Sequence, residues 1–131
     1  MTDARAIGAN MADREPNFLG LFNREPHVLT LKSGETLFHK GDPARSMYVV
    51  LTGELRIGDG NAIYDRLTEG GIVGEMALID HGPRSATVTA STDCTLAEVD
   101  EKRFLFLVQQ TPMFSLQVMS SLAERLRAET R

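Results

Sequence analysis

Short apolar runs separated by glycines occupy the middle of the chain, from about residue 27 to residue 100. Residues 54–57 alternate polar and apolar side chains, which is typical of a half-buried β-strand. Residues 47–51 are continuously apolar, which indicates a central strand, and the runs 87–90 and 95–99 also favour strands. The pattern therefore predicts a β core of the roll or sandwich type.

The apolar period becomes helical from about residue 101. Phe104, Leu107 and Val108 share one face of a predicted helix, and Pro112 stands where a second helix would begin. In that second helix, apolar residues recur at intervals of three and four, the pattern of a packing seam; they are Leu116, Met119, Ala123 and Leu126. Val118 and Leu122 widen this apolar stripe, which could dock on the chain's own core, cover a bound ligand or contact a second subunit.

The pattern divides the chain into a leader and one domain. Residues 1–17 are polar and small, so we expect a flexible leader there, with at most a short helix over residues 17–22. The domain is predicted over residues 18–131, with the β core at about 27–100 and C-terminal helices at about 101–130. The 131 residues, 42% of them hydrophobic, are enough for one core and not for two. The opening Met1 favours a complete small protein.

Charge and composition argue against several functions. The formal net charge of −4 argues against a nucleic-acid-binding surface, which needs a basic face. The sequence shows no long apolar stretch and no signal peptide, so we expect no membrane segment. The single cysteine, Cys94, cannot form an internal disulfide, and we expect it to be structural in a reducing, cytoplasmic setting.

Residues 74–88 concentrate side chains that suit a phosphorylated sugar. Gly74 would let a ligand approach the backbone, and residues 75–79 predict one or two helical turns whose first N–H groups suit a phosphate. Arg84, expected at the start of the next strand, can hold two phosphate oxygens, and Ser85 adds a hydroxyl. Glu75 could accept hydrogen bonds from a sugar; the alternative is an ordinary surface ion pair between Glu75 and Arg84.

This segment resembles the phosphate-binding cassette of the cyclic-nucleotide-binding domain family, found in catabolite-activator-type regulators, kinase regulatory subunits and nucleotide-gated channels. About ten residues match the family's pattern: Gly74, Glu75, Ala77, Leu78, Pro83, Arg84, Ser85, Ala86, Thr87 and Val88. Similarity in the turn and strands at 40–55 and the helix at 122–127 extends the resemblance over about residues 18–130. Val73 departs slightly, because an aromatic residue is frequent at that place.

The resemblance implies a mainly β fold: an antiparallel, jelly-roll-like β-roll of about eight strands with a short N-terminal helix, a cassette helix and two C-terminal helices. It implies a non-catalytic sensor that reversibly binds a 3′,5′-cyclic nucleotide. Arg84, Ser85 and the backbone N–H of Ala77 would hold the cyclic phosphate, and Glu75 the ribose 2′-hydroxyl. The ligand-binding set is Gly74, Glu75, Met76, Ala77, Arg84, Ser85 and Ala86, and base contacts are expected from Val73, Arg127 and Thr130.

Ser85 bears on the choice of nucleotide. In the family, alanine after the arginine accompanies cAMP and threonine accompanies cGMP, whereas serine resembles bacterial cAMP binders that are not strictly selective. The resemblance therefore favours cAMP, with cGMP as the alternative. The signal is expected to pass through the C-terminal helices to a partner protein or a second copy. A fragment of a larger transcription regulator or channel is another alternative, and so is a domain that has lost its ligand.

A metal-dependent, cupin-like enzyme is the remaining alternative. His27, His39 and His81 show no metal-ligand spacing, and no nucleophile stands beside a side chain that could act as its base. We therefore expect no catalytic residue, no metal and no cofactor besides the nucleotide ligand.

Overall fold

Two four-stranded antiparallel sheets make up the β core in the computed structural model, which describes residues 27–129. The first sheet contains, in spatial order, β1 (Val28–Leu31), β8 (Cys94–Asp100), β3 (Ser46–Thr52) and β6 (Ile72–Val73). The second contains β2 (Thr36–Phe38), β7 (Thr87–Ala90), β4 (Leu55–Asp59) and β5 (Ala62–Leu67). The predicted antiparallel β-roll of about eight strands is confirmed. The leader over 1–17 and the short helix at 17–22 lie outside the described residues.

Strand β3 shows why one run is continuously apolar. Met47 and Val49 face outward, beneath the helices, whereas Tyr48 and Val50 point into the roll between the two sheets. Because both faces are covered, no polar alternation is required. By contrast, β4 alternates as predicted, with Leu55 and Ile57 buried inside the roll.

Residues 27–129 also contain three helices: α1 (Met76–Ile79) between β6 and β7, and α2 (Glu101–Gln110) and α3 (Met113–Glu129) after β8. The carboxylate of Asp100 caps α2 by accepting a hydrogen bond from the Arg103 backbone N–H at 2.8 Å. The rings of Phe104 and Phe114 lie 5.8 Å apart between centroids and join α2 to α3. Both helices thereby cover the outer face of the first sheet.

The seam predicted on α3 faces away from the roll. Leu116 and Met119 are each 54% exposed, whereas Phe114 and Val118 are buried against the first sheet. The prediction that the stripe docks on the chain's own core therefore holds for Val118 and not for Leu116 and Met119. The apolar stripe of α3 is wider than one row, so a neighbouring row docks and leaves the seam at the surface.

Two smaller features complete the fold. Cys94 is buried, and its thiol lies within hydrogen-bonding distance of the backbone carbonyls of Glu54 and Thr92, at 3.2 and 3.1 Å, to either of which its one S–H can donate; this is a structural role. In the part of the chain that is described, no helix is long and apolar enough to cross a membrane. Nor do residues 27–129 contain a group of three His, Cys, Asp or Glu side chains that could hold a metal ion.

Candidate functional site

The cassette is the loop that runs from the end of β6, through α1, to the start of β7. Gly74 follows β6 with a φ of +82°, a left-handed conformation that turns the chain into α1. Arg84 lies in the loop three residues before β7, not at the start of that strand. Its backbone is hydrogen-bonded instead to the turn at residues 39–42, which follows β2. The Arg84 N–H donates to the Asp42 carbonyl at 2.9 Å, and the Arg84 carbonyl accepts from the Gly41 N–H at 2.8 Å. This turn fixes where the Arg84 side chain enters the roll.

The guanidinium of Arg84 is a buried cation that has no carboxylate partner among the described residues. The residue is 7% exposed, and the ion pairs found among residues 27–129 do not include it. Its Nη1 donates a long, 3.4 Å bond to the Gly74 carbonyl, and its buried Nε has no hydrogen-bond acceptor within residues 27–129. Burial lowers the pKa of Arg84 from its ordinary value, although the group stays charged. A buried cation with spare donors is a site for an anion.

Two aromatic rings surround this cation. The Cζ atom of Arg84 lies 4.0 Å from the centroid of the Phe38 ring and 5.7 Å from that of Tyr48. The two rings are themselves 6.2 Å apart. Their faces attract the cation without offering it an anionic acceptor.

Gly74 is required by space as well as by its backbone angle. A Cβ atom built at this position would lie only 2.6 Å from Nη1 of Arg84 and 3.2 Å from the Ser46 carbonyl oxygen. Any side chain here would therefore displace the guanidinium. The glycine predicted to admit a ligand makes room in the structure for the arginine.

Glu75 is buried and forms its ion pair with Arg125 of α3. Arg125 also donates from Nη2 to the Ile72 carbonyl at 2.6 Å, so one side chain ties α3 to both β6 and the cassette. The alternative of a surface pair between Glu75 and Arg84 is therefore wrong. Burial raises the pKa of the Glu75 carboxyl, and the attraction of Arg125 opposes this rise without cancelling it. The Oε2 atom of Glu75 is buried and has no partner in the described structure.

The other predicted ligand-binding residues line the same loop in different settings. Ala77 is buried, and its N–H donates at 3.2 Å to the Gly74 carbonyl, so the donor expected to hold a phosphate has an internal acceptor. Met76 and Ser85 are exposed. Ala86 is half-buried against the roll interior.

The predicted base contacts are not brought together by the described residues. Val73 is buried in the roll interior, where it pairs with Tyr48 across β6 and β3. Arg127 is exposed in the last turn of α3. Thr130 lies outside the described residues. Their contacts with a base stay predictions.

Two residues of the site, Arg125 and Phe38, were missed by sequence reasoning. Arg125 continues the row of α3 that includes Val118 and Leu122, and this row packs toward the roll. A charged residue in a packing row was the available signal. Phe38 gives no such signal, because its contact with Arg84 joins the end of β2 to the cassette loop, which is distant in the sequence.

Comparison with known proteins identifies relatives of this chain. Residues 28–111 match the family model described as "Cyclic nucleotide-binding domain". The "cAMP-activated global transcriptional regulator CRP" of Salmonella typhimurium is 33% identical over 107 residues, covering 77% of this chain and 51% of that protein. This chain thus spans about half the length of the curated relatives that it matches first.

Solved structures give the same picture. The catabolite activator protein of Thermus thermophilus superposes with a TM-score of 0.71 at 28% identity, covering 79% of this chain and 51% of that one. A structure titled "A cyclic-GMP-dependent signalling pathway regulates bacterial phytopathogenesis" superposes with a TM-score of 0.76 at 28% identity. That alignment covers 91% of this chain and 97% of the other.

Proposed function

Because the chain belongs to the cyclic nucleotide-binding domain family, we propose that it is a non-catalytic sensor that reversibly binds a 3′,5′-cyclic nucleotide, with cAMP favoured. Binding would be relayed through the C-terminal helices to a partner protein or to a second copy of the chain. A cGMP-preferring sensor is the second candidate, since one structural neighbour carries a title that names cyclic GMP.

The observation that carries the proposal is the buried guanidinium of Arg84. In the part of the chain that is described, this cation has neither a carboxylate partner nor an acceptor for Nε, so it lacks part of its normal electrostatic compensation. A phosphodiester would supply one negative charge and two oxygens for the free donors. The guanidinium of Arg84 would therefore bind the phosphate of such a ligand.

The positive charges around the cassette favour a ligand with a single phosphate. Within the described part of the cassette, Arg84 has no carboxylate partner, whereas Arg125 is paired with Glu75. A cyclic dinucleotide brings two phosphates, and the second would meet no such cation there. We therefore place a cyclic mononucleotide before a dinucleotide.

Glu75 supports a sugar beside that phosphate. Its Oε2 is a buried acceptor that lacks a donor among the described residues, which is costly unless a hydroxyl reaches it. A ribose 2′-hydroxyl has the donor that this oxygen needs. Arg84 and Glu75 would thus recognise the phosphate and the sugar of one ligand.

Arg125 offers the route by which binding could reach α3. This side chain holds Glu75 and the Ile72 carbonyl at once, so a change at Glu75 acts directly on the docking of the helix. The exposed residues Leu116 and Met119 lie on the outer side of the same helix. We propose that this outer side is the surface that meets the partner or the second copy.

Calorimetric titration tests the proposal. The protein is titrated with cAMP, cGMP, cyclic di-GMP and linear AMP, and we expect cAMP to bind most tightly and AMP to bind weakly. In Arg84→Ala, the loss of charge-assisted hydrogen bonds should weaken cAMP binding by at least a hundredfold, at about 1.5–3 kcal/mol for each bond. The matched control is Arg66→Ala, which removes the same charge from an exposed pair with Glu54 and should bind normally. Failure of every cyclic nucleotide to bind the unmodified protein below millimolar concentrations, or normal binding by Arg84→Ala, would refute the proposal.

A further inference from the structure

We infer that Phe38 is a positioning residue for the phosphate site: its ring holds the guanidinium of Arg84 in place and leaves its charge and its N–H donors available to the ligand. The inference rests on the proposed function, because it concerns the affinity of the same site for a cyclic nucleotide. It is carried by the 4.0 Å approach of the Arg84 Cζ atom to the centroid of the Phe38 ring.

A register shift between β2 and β7 brings the Phe38 side chain into the roll. Strict alternation along β2 would send Leu37 and Phe38 to opposite faces. The pairing of β2 with β7 instead shifts register between Thr36 and Phe38, and both Leu37 and Phe38 pack against the roll interior. An irregularity of this kind redirects a side chain at a chosen point, here toward Arg84.

Two carboxylates near Arg84 could hold its guanidinium in place of the Phe38 ring. Asp42 and Glu98 are near enough for their charges to favour the charged form of Arg84, although neither forms an ion pair with it among residues 27–129. A carboxylate that closed on the guanidinium would compete with the phosphate for the same donors. An aromatic ring attracts the cation through its face and does not neutralise it.

Loss of the Phe38 ring would leave the Arg84 side chain weakly restrained. Among the described residues, Nε of Arg84 has no partner and Nη1 has the long bond to the Gly74 carbonyl, so hydrogen bonds restrain the guanidinium weakly. Without Phe38, the side chain would be free to populate other rotamers or to swing toward Asp42 or Glu98. Each ligand molecule would then have to reorder it, which weakens binding.

The test measures binding of cAMP and of adenosine, which lacks the phosphate, to four forms of the full chain. Phe38→Leu removes the ring, Phe38→Tyr keeps it, and Leu37→Ala is the control, since it trims an apolar neighbour on the same strand. We expect Phe38→Leu to weaken cAMP binding by roughly twofold to tenfold, the cost of reordering one side chain. Phe38→Tyr and Leu37→Ala should stay within about twofold of the unmodified protein, and adenosine binding should be the same in all four forms.

Fluorinated phenylalanines at position 38 distinguish positioning from packing. Each added fluorine weakens the negative face of the ring while nearly preserving its volume, so a positioning role predicts a graded loss of cAMP affinity. This series also covers the case in which Phe38→Leu fails to fold. A flat series, or Phe38→Leu with normal cAMP affinity, overturns the inference while the proposed function survives, provided that Arg84→Ala still abolishes binding. Absence of cAMP binding by the unmodified protein overturns both.

Discussion

Replacing Arg125 with methionine should destabilise the fold at neutral pH, because the carboxylate of Glu75 would stay buried without its cation. Glu75 is 1% exposed, and its Oε2 is already without a partner in the described structure. Removing one member of a buried ion pair costs about 3–5 kcal/mol. The Arg125 side chain is 27% exposed, so water already screens part of the interaction, and we expect a loss of about 2–3 kcal/mol.

The loss should depend on pH, and its sign follows from the raised pKa of Glu75. Burial lifts this pKa above the ordinary value of 4.5, and removal of Arg125 takes away the main opposing attraction. The folded variant then binds the proton more tightly than its unfolded chain does. The corresponding stability is fully present below about pH 4.5 and is lost as the pH rises through the folded pKa. The deficit of Arg125→Met should therefore be largest at neutral pH and shrink toward pH 5.

Thermal and urea unfolding, followed by circular dichroism at pH 7 and pH 5, measures both effects. At pH 7 the melting temperature should fall by roughly 6–12 °C for a domain of this size. The control Arg66→Met breaks an exposed pair with Glu54 and should change stability by less than about 1 kcal/mol. The double variant Glu75→Gln, Arg125→Met removes the charge as well and should recover part of the loss. A deficit below about 1 kcal/mol at pH 7, or one that is equal at both pH values, would refute this reasoning.

Two further predictions concern the cassette and α3. Gly74→Ala should lower cAMP affinity at least tenfold in a titration, because its Cβ would displace Arg84; Gly34→Ala, which has a similar φ but open space around it, should strain the backbone by about 1–2 kcal/mol and bind normally. Met119→Glu should shift any dimer toward monomer in analytical ultracentrifugation without changing the melting temperature, whereas Gln109→Glu, an equal charge change on α2, should not. Dimers that survive Met119→Glu would contradict the proposed role of the outer side of α3.

Local signals were enough to predict the β core and the C-terminal helices, whereas the roll of about eight strands was implied by the family resemblance. Glycines mark the turns, and the alternation at Leu55 and Ile57 reports a strand with one face in the roll. The cassette was also readable, because Gly74, Glu75 and Arg84 lie within one short window. Each of these signals depends on residues near one another in the sequence. The pattern could not show which row of α3 docks, since a wide apolar stripe fits several rotations of the helix.

The contacts that complete the site depend on residues far apart in the chain. Glu75 and Arg125 are fifty positions apart, and their pairing requires α3 to return over β6. Phe38 reaches Arg84 only because of the register shift between β2 and β7. Neither the return of a helix nor a local irregularity of a sheet leaves a mark in residue spacing. The sequence therefore identified Glu75 and Arg84, but it could not show that Glu75 pairs with Arg125 or that Arg84 packs on Phe38.

The two oxygens of Glu75 suggest the direction in which a signal would run. Arg125 donates to Oε1, whereas Oε2 is buried and none of the described groups donates to it. A sugar hydroxyl that donates to Oε2 would satisfy the carboxylate without displacing Arg125. A ligand shifts a conformational equilibrium only as far as it binds one state better than the other. Because Arg125 holds Glu75 in position, the hydroxyl would bind better when α3 is docked, and we expect nucleotide to favour the docked helix.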